Sequence, residues 1–435
     1  MKLARLNHIL IPGTRQGRDR LRRSALGKVF VPLSWLYGAL STEGRGLIAL
    51  SLFVGTAGIE VGRTQVYFLW SVMLGLLAGS LVARLLFRLQ GVELKVVTPP
   101  RVTVGEPIQF TLTLENGSNR DHHAIRLRRP FLPWDGEWVG TASRIKTLKK
   151  GGKASVRARA RFVERGTHEL DAFSASITVP LGLSLGRPIH DAGCRFRVVP
   201  RIAPIDSLRL PAGQRYQPGG IAQASSMGEA MELRGVRPYR PGDPVRDLHA
   251  RTWARTGVPH IREYQQEYFT RIGVVFDDDA TTLTPAGLEA ALSLAAGVIA
   301  KLSRGEALID LLVVGSEVHS FTIGRSLGFL PQALDVLACV QPAEKLDTEK
   351  LVRRIEPYLD RLSCIVLITQ SEDTSRAVIA DEIERRGVSC RILRVHDDTH
   401  RWWQQDQQDV APRSRGPRER LVTVSRIEKQ EPLVL

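Results

Sequence analysis

The chain has 435 residues and a formal net charge of +16, with a pI near 10.2. That length holds two or three domains with real cores, and the basic balance points to an anionic partner, either nucleic acid or an acidic membrane leaflet. The four cysteines (Cys194, Cys339, Cys364, Cys390) are scattered without a C-x-x-C pair; three fall in segments that read as buried helix or strand, which argues against disulfides and zinc and for reduced core thiols in a cytosolic part.

Residues 1–45 are basic: Arg15, Arg18, Arg20, Arg22, Arg23 and Lys28 face the single early acid Asp19, and the apolar cluster Val29, Phe30, Leu33, Trp35, Leu36 and Tyr37 follows. This order fits a segment lying on an anionic membrane surface, and equally a disordered basic arm. A secretory signal peptide is not expected, because the hydrophobic runs begin too late and no small-residue cleavage site follows a short apolar core.

Residues 46–90 carry two apolar runs, Leu47 to Val61 and Val66 to Phe87. A membrane helix needs roughly 20 mostly apolar residues, with about 17 tolerated, so the second run is long enough and the first is short. The tight linker Gly62-Arg63-Thr64-Gln65 predicts a transmembrane helical hairpin, with Gly55, Gly58, Gly75, Ala78 and Gly79 as small surfaces for close helix contact. Burial in a soluble core is the alternative, but no nearby element is suited to cover these helices. Arg45, Arg84 and Arg88 flank the pair, while the linker offers only Arg63, offset by Glu60. The positive-inside rule then places both ends in the cytoplasm.

From residue 91 to 200 the period becomes two. Phe110, Leu112 and Leu114 alternate with Gln109, Thr111 and Thr113, and Val156, Ala158, Ala160 and Phe162 alternate with Arg157, Arg159 and Arg161. Alternation broken by Gly and Asn clusters predicts half-buried antiparallel strands, an immunoglobulin-like β-sandwich. The arginine row reads as solubility and edge protection rather than a binding face, and His122-His123 has no further metal-ligand pattern.

Residues 201–270 comprise a connector and the most distinctive stretch of the chain, Met231 to Glu267. Arginines 234, 237, 240, 246, 251, 255 and 262 alternate there with Tyr239, Trp253, Tyr264 and the turn Pro241-Gly242-Asp243. Guanidiniums spaced among aromatics and carboxylates suit bidentate pairing and stacking. The stretch reads as a structural lock joining two domains, and Arg237, Tyr239, Gly242, Asp243, Arg246, Arg251 and Arg255 are the candidate binding residues.

Glu232, Gly235, Arg237, Tyr239, Arg240-Pro241-Gly242-Asp243, Arg246, Ala254-Arg255 and Arg262-Glu263 resemble the signature of domain of unknown function 58, as do Arg165-Gly166-Thr167 and Pro180-Leu181-Gly182-Leu183 ahead of it. One departure is His249-Ala250 where many members read Asp-Trp or His-Trp; the tryptophan here is Trp253. The resemblance implies a bacterial membrane protein with a von Willebrand A-like domain, encoded beside a MoxR-type AAA+ ATPase. Together with the hairpin and its flanking charge, the expected location is the bacterial inner (cytoplasmic) membrane, multi-pass, with the bulk of the chain in the cytoplasm. The resemblance implies architecture and company, not a reaction.

Residues 271–396 alternate strand and helix: Ile272 to Phe276, Leu308 to Val314, Val318 to Thr322, Cys364 to Thr369 and Ser389 to Val395 read as strands, separated by helical periods at Pro285–Leu302, Leu327–Val340, Asp347–Leu359 and Arg376–Arg386. This predicts a doubly wound α/β sheet, whose ligands gather at the carboxyl ends of the strands. There the loop reads Asp277-Asp278-Asp279-Ala280-Thr281. Von Willebrand A domains carry Asp-x-Ser-x-Ser at that position. Asp277 matches the leading aspartate, Asp279 replaces the first serine and Thr281 stands for the second, oxygens suited to Mg²⁺ or another divalent cation. Gln370 falls where a second acid is often found, so the set is degenerate; the three acids also fit a hydrated loop paired with arginines. Residues 397–435 read as a polar, mobile tail.

No G-x-x-x-x-G-K-[ST] loop, G-x-S-x-G elbow or H-E-x-x-H motif is present. The expected function is therefore a non-catalytic membrane scaffold that binds membrane lipids, other membrane-complex proteins and, by resemblance, a MoxR-type AAA+ ATPase. Nucleic-acid binding is the alternative that the charge suggests, though no recognition helix or RNA motif accompanies it. A metal-dependent hydrolase would need a general base that the sequence does not offer.

Overall fold

The computed structural model describes residues 17, 20, 23–24, 35–57, 64–141, 144–211, 232–243, 245–265, 271–277, 284–304, 308–314, 318–323, 330–342, 348–370, 375–398 and 418–435. It is a mixed α and β protein with several sheets, dividing into two compact units, Met1–Arg201 and Ile202–Leu435. The expected roles of Glu60 and Arg63, and of the connector over residues 212–231, lie outside the described residues.

The first unit opens with two apolar helices, α1 (Thr42–Ala57) and α2 (Thr64–Ala83). Much of their apolar surface is uncovered: Phe53 is 71% and Phe68 73% exposed. Of the small residues expected at the helix contact, Gly55 meets its neighbour, since a Cβ there would lie 2.9 Å from Trp70 Nε1. Gly75 and Gly79 have open space where a Cβ would go, so they are not contact points within this chain. Gly58 lies outside the described residues. The base of the hairpin is fastened to the strands that follow. Ser41 donates its backbone N–H to Leu183 O at 3.0 Å, Leu185 to Ala39 O at 2.8 Å, and the Ser80 and Ser184 hydroxyls bond at 2.7 Å. Backbone approach is so close that a Cβ on Gly44 would collide with the Leu183 carbonyl, and one on Gly186 with that of Phe87.

Eleven strands follow among the described residues of this unit. They are β1 (Val92–Val97), β2 (Arg101–Thr103), β3 (Pro107–Asn116), β4 (His122–Arg128), β5 (Gly136–Val139) and β6 (Arg144–Leu148). Then come β7 (Lys153–Phe162), β8 (Gly166–Leu170), β9 (Ser174–Ile177), β10 (Ile189–His190) and β11 (Cys194–Val199). Two four-stranded antiparallel sheets run β1-β3-β7-β5 and β10-β9-β4-β6, beside a three-stranded β2-β11-β8. The alternation read from the sequence sets the core: Ile108, Phe110, Leu112 and Leu114 of β3 are buried, and Phe110 pairs across the ladder with the small Ala158. Large against small leaves room for Phe173 and Phe196, whose ring centroids lie 5.4 and 5.8 Å from Phe110. Arg157, Arg159 and Arg161 face solvent.

The second unit begins with β12 (Ile205–Ser207) and a hairpin of β13 (Glu232–Pro238) and β14 (His260–Gln265), with the short helix α3 (Ala250–Thr256) between them. The main sheet uses β15 (Arg271–Asp277), β16 (Leu308–Val314), β17 (Val318–Ile323), β18 (Cys364–Thr369), β19 (Ser389–His396) and β20 (Glu419–Thr423), in the order β17-β16-β15-β18-β19-β20. Its pairings are parallel except β16 with β17. Helices α4 (Pro285–Leu302), α5 (Leu330–Cys339), α6 (Thr348–Leu359) and α7 (Ser375–Arg385) connect the strands. Although α4 is long and apolar enough to cross a membrane, it is mostly buried. Leu292, Leu294, Val298 and Ile299 are fully covered, so it is a core helix of the sheet.

The chain's end corrects the expectation of a mobile tail over 397–435. Its last eighteen described residues form β20, the helix α8 (Val424–Glu428) and β21 (Leu433–Val434), which pairs with β12. Val422, Val424, Ile427, Leu433 and Leu435 are buried. Ion pairs tie the strand down: Arg394 to Glu419 at 2.6 Å, and Arg418 to Asp381 at 2.9 Å and Glu384 at 2.7 Å. Apolar side chains diluted by polar neighbours carried too little local signal. Cysteine burial is also more mixed than expected. Cys364 and Cys390 are buried and Cys194 is half-buried, but Cys339 is exposed.

Candidate functional site

The sequence singles out two places, the carboxyl end of β15 and the arginine-rich hairpin, both in the second unit. Parallel strands β15 and β18 lie side by side, so Asp277 at the end of one is adjacent to Thr369 at the end of the other. Asp277 is 3% exposed and accepts a hydrogen bond from the Thr369 hydroxyl at 2.8 Å. Its remaining partner is a guanidinium from the first turn of α7. Arg376 Nε lies 2.8 Å from Oδ2 and Nη2 lies 3.2 Å from Oδ1. Arg376 itself is 5% exposed. A cation at a helix N-terminus opposes the helix dipole, and the two-point contact with Asp277 offsets that cost.

Next to this pair, the amide of Gln370 accepts the backbone N–H of Thr284 at 3.1 Å. Thr284 caps α4, accepting from Gly287 N at 3.1 Å and donating its hydroxyl to Asp397 Oδ2 at 2.5 Å. The strand ends are thus knitted together by polar contacts reaching from β15 to the residue after β19.

These residues do not fit a divalent ion held by Asp277. Both carboxylate oxygens are directed at a guanidinium that already supplies the compensating charge, and a second cation beside it would be repelled. Among the described residues no group of three His, Cys, Asp or Glu side chains is arranged to hold a metal. Asp279 and Thr281, the other two expected ligands, lie outside the described residues. Sequence reasoning missed Arg376. The available signal was a basic residue in the first turn of a predicted helix, directly after the loop at a strand end.

In the hairpin the candidate residues separate into two groups. Arg237 and Asp243 form a two-point ion pair, with Nη1 to Oδ2 at 2.7 Å and Nη2 to Oδ1 at 2.8 Å. Asp243 Oδ2 also accepts the Arg240 N–H at 2.9 Å. The Arg237 guanidinium, followed by that backbone bond, holds the Asp243 carboxyl below its ordinary range. Gly242 sits at φ 104°, a conformation that favours glycine and lets the chain turn back at this carboxylate. Tyr239 is half-buried and its N–H reaches Pro259 O at 2.9 Å. His249 caps α3, its Nδ1 accepting from Thr252 N at 3.3 Å, which is a structural use of the imidazole.

The other group points outward. Arg246, Arg251 and Arg255 are exposed, with Trp253 45% exposed among them. Arg246 Nε lies 4.0 Å from the Asp247 carboxylate. Among the described residues of the hairpin, the two-point guanidinium–carboxylate contact is the Arg237–Asp243 pair, and three arginines and a tryptophan are presented to solvent.

No protein-family profile and no curated protein matches the chain. Solved structures share only weak likeness. Native Escherichia coli alpha-2-macroglobulin is 16% identical, with 28% of this chain and 8% of that chain covered at a TM-score of 0.21. AvmM, described as catalysing macrocyclization in alchivemycin A biosynthesis, is 14% identical over 25% of this chain and 88% of that one, at 0.18. The secreted serine protease VesC from Vibrio cholerae is 15% identical over 25% and 23%, at 0.17. This chain spans under a tenth of the length of the first, and similarity at this level carries no activity over.

Proposed function

We propose that this protein is a non-catalytic membrane adaptor. In this reading α1 and α2 form a transmembrane hairpin, the first unit's strands form an immunoglobulin-like sandwich, and the second unit is a von Willebrand A-like domain. The uncovered apolar surface of α2 supports the anchor: it is long and apolar enough to span and little of it is buried. Five parallel-connected strands with an antiparallel edge at β17, flanked by helices, support the A-like assignment.

The observation that carries the adaptor reading is the exposed Arg246, Arg251, Arg255 and Trp253 face of the hairpin. Arginine and tryptophan are the side chains that most often dominate binding energy at protein interfaces, and three cations select an acidic surface on the partner. By the resemblance to domain of unknown function 58, the partner is a MoxR-type AAA+ ATPase acting in assembly or remodelling of a membrane complex. Asp277 then serves the domain's framework through Arg376, and docking at the strand ends proceeds by shape and charge without a metal.

Affinity capture of the full chain from detergent-solubilised membranes tests this. Wild type retains the ATPase and an Arg251→Ala/Arg255→Ala variant loses it. Equal retention by both removes the hairpin face from the proposal. Retention of nucleic acid that is weakened by salt, in place of a protein partner, replaces the reading with nucleic-acid binding.

A further inference from the structure

The entry and exit of the hairpin lie at one end of the first unit, and the fold gathers positive charge there from distant parts of the chain. Arg45, in the first turn of α1, stacks its guanidinium 3.5 Å from the centroid of the Tyr37 ring and donates to Tyr37 O at 2.8 Å. Arg84, just after α2, lies 5.0 Å over the Trp35 ring. Both aromatics are more than half exposed. Two arginines of β4 come to the same place. Arg126 reaches Glu43 at 3.2 Å, and Arg128 Nη1 lies 3.4 Å from where a Cβ on Gly38 would sit. Arg88 and Arg187 are bridged backbone to backbone beside them. The acid paired within this group is Glu43, which Arg144 shares at 3.4 Å.

This juxtaposition has the anatomy of a membrane interface. Tryptophan and tyrosine settle at headgroup level, and arginine spreads its charge there while its stem remains in apolar surroundings. The apolar faces of α1 and α2 begin immediately beyond the ring of arginines. Among the described residues, the excess of guanidiniums over the Glu43 carboxylate, held at that depth, is matched by phosphate oxygens of anionic lipids.

We propose that this arginine collar, in which β4 contributes Arg126 and Arg128, is a binding site for the headgroups of anionic phospholipids. The proposal rests on the membrane-anchor reading. The collar holds the strands of the first unit against the lipid surface, so lipid charge orients this unit at the membrane.

The test uses the full chain purified in detergent, doped with equal amounts of phosphatidylglycerol and phosphatidylcholine and examined by native mass spectrometry. Wild type retains phosphatidylglycerol in preference. Arg126→Gln/Arg128→Gln loses that preference by roughly tenfold or more, as removing two cations near an anionic surface implies. Arg157→Gln/Arg159→Gln, which deletes the same charge from the solvent face of β7, retains it. Because Arg126 also pairs with Glu43, Arg187→Gln provides a second variant that leaves that pair intact and weakens retention in the same direction. An unchanged preference in both collar variants, or an equal loss in the β7 variant, overturns the proposal. Carbonate extraction of membranes separates the failures: a chain released at high pH overturns the anchor reading and the collar with it, whereas a retained chain without lipid preference overturns the collar alone.

Discussion

Arg376 and Asp277 are 99 residues apart in sequence and meet in two hydrogen bonds, 2.8 and 3.2 Å, with both side chains buried. The carboxylate lies at the end of β15 and the guanidinium enters from the first turn of α7, so the contact joins a strand and a helix that flank the β18 strand end. A buried charge stripped of its partner is costly, whereas the intact pair roughly breaks even against an apolar replacement.

Asp277→Ala and Arg376→Leu are each expected to destabilise the protein by about 3–5 kcal/mol. Combining Asp277→Leu with Arg376→Leu recovers most of that loss. Denaturant unfolding of the full chain in detergent measures it. A double variant no better than the worse single one would show that the two side chains act separately.

Divalent cations are expected to leave the thermal midpoint of the wild type unchanged, since the positive charge opposite Asp277 is already covalently supplied. Adding Mg²⁺ or EDTA during thermal unfolding checks this. A rise with Mg²⁺ that disappears in Asp277→Ala would place a metal at the loop after all.

The exposed arginines and the paired one are expected to respond differently to substitution. Arg251→Ala and Arg255→Ala fall within about 0.5 kcal/mol of wild type in stability, as surface changes do. Arg237→Ala loosens the hairpin instead. Hydrogen exchange of the β13 and β14 amides distinguishes them, with raised exchange confined to the Arg237 variant.

The Asp243 carboxyl is held below its ordinary value of 3.8, first by Arg237 and then by the Arg240 N–H. A depressed carboxylate contributes stability that is fully present above the unfolded value and is lost as pH falls through the folded one. Hairpin amides should therefore remain protected at pH 4 and lose protection only below the ordinary value. Asp243→Asn abolishes that acid dependence, and protection lost in wild type at higher pH would contradict the pairing.

Burial raises the Cys364 thiol to about 11 and pushes Cys390 up as well. Alkylation at pH 8 should label exposed Cys339 first and leave these two protected until denaturant is added, because the thiolate is the reacting form. Peptide mapping after iodoacetamide treatment reads the order, and early labelling of Cys390 would show that its strand opens readily.

The local elements could be read from residue pattern alone. Period-two alternation around Phe110 and Phe162, the apolar runs of α1 and α2, and the strand–helix rhythm from β15 to β19 were legible, because periodicity records which side of each element meets apolar surroundings. Strand β20 and the helix α8 after it were not legible, since Val422 and Val424 sit among polar neighbours and acquire their burial only beside β19 and α4. The candidate site was half legible: Asp277 was visible as an acid at a strand end, and Arg237 and Asp243 as members of a stretch suited to guanidinium–carboxylate pairing, though not as each other's partner. The folded chain was needed to show that Arg376 faces Asp277, that Arg246, Arg251 and Arg255 are exposed, and that Arg126 and Arg128 join Arg45 at the base of the hairpin. Those relationships depend on which distant segments the topology brings within hydrogen-bond or Coulomb reach, a distance that no local pattern encodes.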